Sequence, residues 1–262
     1  MTGRRYFLFD LVRSGISWFL VGVVTILVFI PVFITFLVMV VFDRDRNCIH
    51  PLISFWARAI LVVCPMMCVH LEGTEHLKRG STYVLVANHQ SVADIIAVLH
   101  LSHPFKFIAK RELFWIPFLG WALSLAGYIP LIRGDNKSGK ETLDRASTYL
   151  KRGVSVLLFP EGTRSRDGEI HSFKVGAFKL ARDNGVPIVP IVIYGTRDLI
   201  PKGSRLLRRR VKVTVKIGTP RLVGTSDGTS IEKFCESVRS EIITSFDEIR
   251  RRVKEMTELT SV

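Results

Sequence analysis

Tyr83-Val84-Leu85-Val86-Ala87-Asn88-His89-Gln90-Ser91-Val92-Ala93-Asp94 decides how this chain is read. Its first five residues are apolar without alternation, the pattern of a strand covered on both faces. A polar turn follows, and residues 93–101 have the character of a helix. A buried strand that runs straight into a helix is the building unit of an α/β domain. The same stretch carries chemistry. A neutral imidazole, with an ordinary pKa near ~6.5, accepts a proton from a hydroxyl at working pH. A carboxylate beside it fixes its tautomer and stabilises the imidazolium that forms. Positions i and i+5 share no helix face. His89 and Asp94 therefore meet only if His89 lies in the turn ahead of the helix and Asp94 in its first turn or two. The spacing alone fits a capping histidine equally well.

Working outward, short apolar runs alternate with amphipathic stretches from residue 71 onward. Strands are predicted at 83–87, 105–109, 127–132, 154–159, 188–194 and 211–217, and helices at 93–101, 118–125, 140–151, 175–184 and 231–256. This order predicts an α/β fold, a single catalytic domain with a mostly parallel sheet flanked by helices. The loop 224–229 reads as a surface turn before the last helix. Gly134-Asp135-Asn136-Lys137-Ser138-Gly139-Lys140-Glu141 approaches the phosphate loop of nucleotide-binding proteins. It fails at Glu141, where a magnesium-ligating hydroxyl belongs, so it reads as a polar turn opening a helix. No G-x-S-x-G elbow is present, which removes the usual α/β-hydrolase nucleophile.

Ahead of this domain, residues 14–42 hold no charged side chain. As one helix they span roughly 43 Å, more than the ~30 Å hydrocarbon core. Pro31 leaves two readings open, one tilted or kinked span and a re-entrant hairpin returning to the same face. Residues 51–69 carry one charge, Arg58. They read as a helix at the membrane interface with Arg58 snorkelling, or as one packed on the catalytic domain. Residues 1–69 are thus assigned to an N-terminal helical membrane element and 70–262 to the catalytic domain. The 262 residues are 48% hydrophobic and carry a formal net charge of +14. Such a charge seeks polyanions, and the uncharged N-terminal run favours an anionic membrane surface over nucleic acid. Four cysteines without a C-x-x-C pair speak against a metal or disulfide scaffold. They suggest a reducing compartment, and no feature calls for a metal or other cofactor.

Three further segments carry candidate chemistry. Phe159-Pro160-Glu161-Gly162-Thr163-Arg164-Ser165 follows a predicted strand. Gly162 permits close backbone approach, Thr163 supplies a hydroxyl and Arg164 a planar fork for phosphate. Glu161 would repel an anion, so its work is to orient Arg164 or to accept from a substrate hydroxyl. Gly127-Tyr128-Ile129-Pro130-Leu131-Ile132-Arg133 delivers Arg133 to the carboxyl end of a strand, where open α/β sheets bind ligands. Val186-Pro187-Ile188-Val189-Pro190-Ile191 reads as an edge or pocket wall, or as the start of a core strand, because proline removes ladder donors.

Taken in order, these four segments resemble the motif blocks of the 1-acyl-sn-glycerol-3-phosphate acyltransferases, also called lysophosphatidic acid acyltransferases. The resemblance is carried by residues 88–191. It implies an O-acyltransferase of phospholipid biosynthesis with lysophosphatidic acid and a thioester, acyl-CoA or acyl carrier protein, as substrates. It implies His89 as general base, Asp94 as its partner, and Arg133, Glu161, Gly162, Thr163 and Arg164 as the glycerol-phosphate site. Lys110, after the predicted strand 105–109, is our candidate for the oxyanion donor. A cytosolic donor places the catalytic domain on the cytoplasmic face. The basic cluster Arg205, Arg208, Arg209, Arg210 and Lys212 suits anionic headgroups or the phosphates of coenzyme A. Rival readings are an acyltransferase for another lysolipid or glycerol 3-phosphate, and a non-catalytic membrane-docking protein.

Overall fold

The uncharged N-terminal run folds as one helix, α1 (Thr2–Met39), which continues through Pro31. Pro31 lies on the exposed side, so its ring asks no room of the core. The re-entrant hairpin is thereby ruled out. Ser14, Ser17, Val24, Val28 and Val32 recur every three to seven residues and are buried, which defines the inner face. The computed structural model describes residues 2–200, 202–204, 206–207, 210–224 and 230–259. Arg205, Arg208 and Arg209 of the basic cluster and most of the 224–229 loop lie outside these.

Next comes α2 (His50–Val63), whose Ile53, Ser54, Ala57 and Ile60 are buried while Phe55, Arg58 and Val62 point outward. The helix ends at Cys64, and β1 (Met67–Glu72) begins three residues ahead of the boundary expected at 70. The stretch 51–69 is therefore a helix and the start of a strand. α1 and α2 share the hydrophobic core of the catalytic domain, so the N-terminal region is no separate body.

The chain then alternates. It runs through β2 (Val84–Ala87), α3 (Ala93–Val98), β3 (Phe105–Lys110), α4 (Leu119–Leu125), β4 (Ile129–Leu131) and α5 (Asn136–Lys151). It continues through β5 (Ser155–Leu158), α6 (Gly176–Asp183), β6 (Ile188–Tyr194), α7 (Thr196–Leu199), β7 (Val211–Ile217) and α8 (Ile231–Leu259). The seven strands form one sheet in the order β1-β7-β6-β2-β5-β3-β4, parallel except for β6 against β7. Alternation along β2 shows why its residues are all apolar. Leu85 and Ala87 enter the core under α1–α4, and Val84 and Val86 enter the core under α5, α6 and α8.

β2 and β5 are neighbours whose connections leave in opposite directions. After β2 the chain crosses by α3 toward β3, whereas after β5 it crosses by α6 toward β6 on the other face. That is a topological switch point, and the crevice at its carboxyl ends is where such sheets hold ligands.

Of its two readings, the 186–191 segment takes the core-strand start and not the edge. β6 is an inner strand, flanked by β2 and β7. Pro190 is tolerated there because the β7 ladder starts only at Ile191, opposite Ile217. The Pro190 carbonyl accepts from Gly218 N at 2.8 Å, so its ring nitrogen faces the side where that ladder has ended. The Gly134–Glu141 segment opens α5, with the Asp135 carboxylate accepting from Lys137 N at 2.9 Å.

Candidate active site

His89 leaves the end of β2, and Asp94 is the second residue of α3, the one arrangement in which the pair meets. His89 Nδ1 lies 2.8 Å from Asp94 Oδ2. The same oxygen accepts from the backbone N–H of Gln90 at 2.7 Å and of Ser91 at 2.9 Å. Thr196 Oγ1, from the turn after β6, donates to the other oxygen. With its oxygens taken by donors, the carboxylate faces the ring as an acceptor. The imidazole therefore donates through Nδ1, and Nε2 keeps the lone pair a general base needs.

The turn that carries His89 is anchored on every side. The Asn88 side chain donates to Ile193 O at 2.9 Å and accepts from Ile193 N at 2.8 Å, extending the β2–β6 pairing by one step. Ser165 N donates to His89 O at 2.8 Å, and Gln90 Nε2 to Gly168 O at 2.8 Å. The Phe159 ring stacks on the imidazole, centroids 4.2 Å apart.

Glu161 occupies a place different from its expected one. Its Oε1 accepts from His89 N at 2.7 Å and its Oε2 from His171 N at 3.2 Å. Burial raises its pKa, and these two backbone donors oppose that rise. Glu161 thus ties the loop after β5 to the turn after β2, with no bond to Arg164 among the described residues. Gly162, at φ 70°, turns the loop, and Lys174 covers the spot a Cβ would occupy, with Nζ at 3.2 Å.

Around Thr163 cations gather. Lys202 Nζ reaches Thr163 Oγ1 at 3.1 Å and Arg164 O at 2.6 Å. Arg133 follows β4 at the same sheet edge, and its pKa is lowered first by desolvation and then by the charge of Arg164. Lys202 is lowered by desolvation and then by Arg166, Arg164 and Arg133. Glu112 and Glu161 offset part of this mutual repulsion at Arg133 and Lys202, but none of these cations has a carboxylate ion pair among the described residues. The cluster therefore suits an anion. Lys110 ends β3, two strands from His89, with its ammonium 2.9 Å from Glu112.

Sequence reasoning missed Thr196 and Lys202. Thr196 had one available signal, as a polar residue just beyond the carboxyl end of a strand at the ligand edge. Lys202 sits in a loop with no motif around it.

A family model described as Acyltransferase matches residues 68–194. The chain is 40% identical to a chloroplastic 1-acyl-sn-glycerol-3-phosphate acyltransferase of Arabidopsis thaliana, over 80% of this chain and 57% of that one. A Brassica napus enzyme of the same description is 38% identical, over 89% of this chain and 67% of its own. The chain thus spans about three fifths to two thirds of these relatives' lengths. The crystal structure of PlsC, the 1-acyl-sn-glycerophosphate acyltransferase of Thermotoga maritima, superposes with a TM-score of 0.77 at 29% identity, covering 92% of this chain and 97% of that one.

Proposed function

This chain belongs to the family of 1-acyl-sn-glycerol-3-phosphate acyltransferases, and from that premise we propose that it acylates the sn-2 hydroxyl of 1-acyl-sn-glycerol 3-phosphate. The product is phosphatidic acid, made for phospholipid synthesis. His89 Nε2 removes the hydroxyl proton as the alcohol oxygen attacks the thioester carbonyl. The Nδ1–H bond to Asp94 stabilises the imidazolium. Collapse of the tetrahedral intermediate breaks the carbon–sulfur bond, and the departing thiolate takes the proton from Nε2. No acyl-enzyme is formed, because the substrate supplies the nucleophile.

General base catalysis of this kind contributes roughly 10²–10⁴-fold. Alignment of the two substrates contributes up to ~7–11 kcal/mol more. Arg133, Arg164 and Lys202 grip the phosphate, Gly162 and Thr163 shape its seat, and Glu161 holds that loop against the catalytic turn. Lys110 is the oxyanion donor in this reading. The enzyme works at a membrane with the catalytic domain on the cytoplasmic face, its basic surface against anionic lipid.

One observation carries the proposal. A histidine–carboxylate pair and a cluster of cations without ion pairs among the described residues stand together at the carboxyl edge of the sheet, around the β2–β5 switch point. The test is incubation of purified full-length protein with a labelled acyl thioester and a panel of lysolipids and glycerol 3-phosphate. Lysophosphatidic acid is expected to be the preferred acceptor, with His89→Ala abolishing transfer. A preference for a neutral or choline-bearing acceptor, or transfer that survives His89→Ala, counts against it.

A further inference from the structure

Residues 159–175, between β5 and α6, form no strand or helix, yet they grip the catalytic turn at three points. Ser165 N donates to His89 O, Gly168 O accepts from Gln90 Nε2, and Glu161 accepts from His89 N. Such a loop holds a catalytic geometry only where its own backbone is fixed from behind. Ile170 and Phe173 bury their side chains in the core under α5, α6 and α8. That anchors the loop without setting the tilt of its peptide planes.

The polar anchor comes from α8. Arg239 Nε donates to His171 O at 2.9 Å and Nη2 to Ile170 O at 3.0 Å, while Nη1 bonds Glu236 at 2.6 Å. An exposed ion pair within one helix contributes little. The Arg239 side chain, however, is only 24% exposed, and two of its three nitrogens hold backbone carbonyls. Its planar fork suits two adjacent acceptors as a lone ammonium does not. Ile170 O and His171 N belong to one peptide group, and in a trans peptide they point in opposite directions. The oxygen accepts from Arg239, and the N–H donates to Glu161 Oε2 at 3.2 Å. Glu161 Oε1 accepts in turn from His89 N at 2.7 Å. A guanidinium at one end of this peptide dipole and a buried carboxylate at the other polarise it in the same sense, so the bonds strengthen one another.

We propose that Arg239 is a positioning residue for the catalytic turn, acting through the 170–171 peptide and Glu161 on the backbone of His89. The inference rests on the acyl-transfer reading above for its kinetic consequence. It adds a residue of α8, outside the stretch 68–194 that the family model matches. Without the fork, the 170–171 peptide turns freely and Glu161 loses its second donor. One end of the His89 turn is then held by a carboxylate that is itself loose, and the direction of Nε2 spreads.

The test uses the full-length protein in detergent micelles. Arg239→Met keeps the apolar stem and removes the donors. Hydrogen–deuterium exchange should quicken roughly tenfold in the peptides covering residues 88–92 and 168–172, with β1 and β7 exchanging as in the wild type. In a Glu161→Gln background the link is already cut, so Arg239→Met should add little at 88–92. For transfer of an acyl group to lysophosphatidic acid, kcat should fall roughly 10–100-fold with both KM values unmoved. Glu236→Gln strips the ion pair, leaves the fork on its carbonyls, and should match the wild type in both measurements. Unchanged exchange at 88–92 in Arg239→Met overturns the proposal, as does a kcat left at its wild-type value. So does faster exchange throughout the chain, which would make Arg239 a residue of general stability. An effect that persists in full beside Glu161→Gln, or an equal loss in Glu236→Gln, overturns it too. Loosening of 88–92 that runs through Glu161, in a protein that acylates no lysolipid, would refute the acyl-transfer reading and leave the positioning role standing.

Discussion

Thr196 is fully buried and spends its hydroxyl on Asp94 Oδ1, while the two backbone donors hold Oδ2 against the ring. The hydroxyl therefore fixes the rotation of the carboxylate, and through it the direction of Nε2. A hydrogen bond to a charged group contributes ~1.5–3 kcal/mol. Thr196→Val keeps the shape and removes the donor, so kcat should fall roughly 10–100-fold with KM for both substrates unmoved. Steady-state kinetics decide this, and an unchanged kcat would mean that the backbone donors alone suffice. Lys110 is subject to a sharper division. Its ammonium is half exposed and paired to Glu112, and it lines the same groove as Arg133. As an oxyanion donor its removal costs ~10²–10³-fold in rate. Lys110→Ala should then lower kcat by that order with acceptor KM constant. A rise in acceptor KM at constant kcat would transfer Lys110 to the phosphate cluster.

Strand and helix placement was largely legible, because β2, β5 and β6 are apolar runs, and β3 and β7 are β-branched or aromatic stretches interrupted by single polar residues, all bounded by turns. β1 escaped notice for a physical reason. It is an edge strand with Cys68 and His70 on its open side, and it follows α2 without a polar break, so the two read as one apolar stretch. Pro190 hid the inner position of β6, since proline's cost depends on which neighbour faces the missing N–H. The dyad was readable from spacing plus one strand end. The roles of Glu161, Thr196 and Lys202 depended on which loops the sheet brings side by side. Lys106 is another feature of this kind. It stands in a strand pattern yet is wholly buried, donating to Ala126 O at 2.8 Å and Arg46 O at 3.2 Å. One ammonium thereby joins β3 to the end of α4 and to the turn between α1 and α2. Burial lowers its pKa from 10.5 to about 8. The unfolded chain holds this proton up to about pH 10.5, whereas the folded chain releases it near pH 8. The unfolded state therefore binds more protons in that window, and stability rises with pH across it. The penalty is complete below pH 8 and its relief amounts to about 3 kcal/mol. Melting curves of wild type and Lys106→Met from pH 7.5 to 10.5 should diverge, the wild type gaining relative to the variant above pH 8. Parallel curves would show that Lys106 stays charged throughout.

At the scale of the molecule, the proposed work at a membrane falls to α1, the one helix among the described residues long and apolar enough to cross a bilayer. Its 38 residues measure roughly 57 Å, yet it does not stand away from the domain. Arg13 donates to Leu207 O at 2.7 Å, and Ser14 accepts from Leu207 N at 2.9 Å. Trp56 Nε1 donates to Thr25 at 3.0 Å, and Phe29 packs edge-on against Phe118 and Trp121. Fastened over this length, the helix would bring the α1–α4 face of the domain with it to a bilayer. Its outer face carries an apolar stripe including Phe19, Leu27 and Ile34, between 55% and 70% exposed and spaced seven or eight residues apart. That stripe is covered by nothing among the described residues, and hydrocarbon is the partner its chemistry fits. An arginine in hydrocarbon costs ~2.5–3.5 kcal/mol, so Phe19→Arg, Leu27→Arg and Ile34→Arg together should abolish sedimentation with vesicles. Because all three side chains point away from the core, the melting temperature in detergent should hold. Acyl transfer to lysophosphatidic acid in mixed micelles should also persist while transfer to the same lipid in vesicles is lost. Equal loss in both settings would mean that the stripe serves folding, and undiminished vesicle binding would move the membrane contact to another surface.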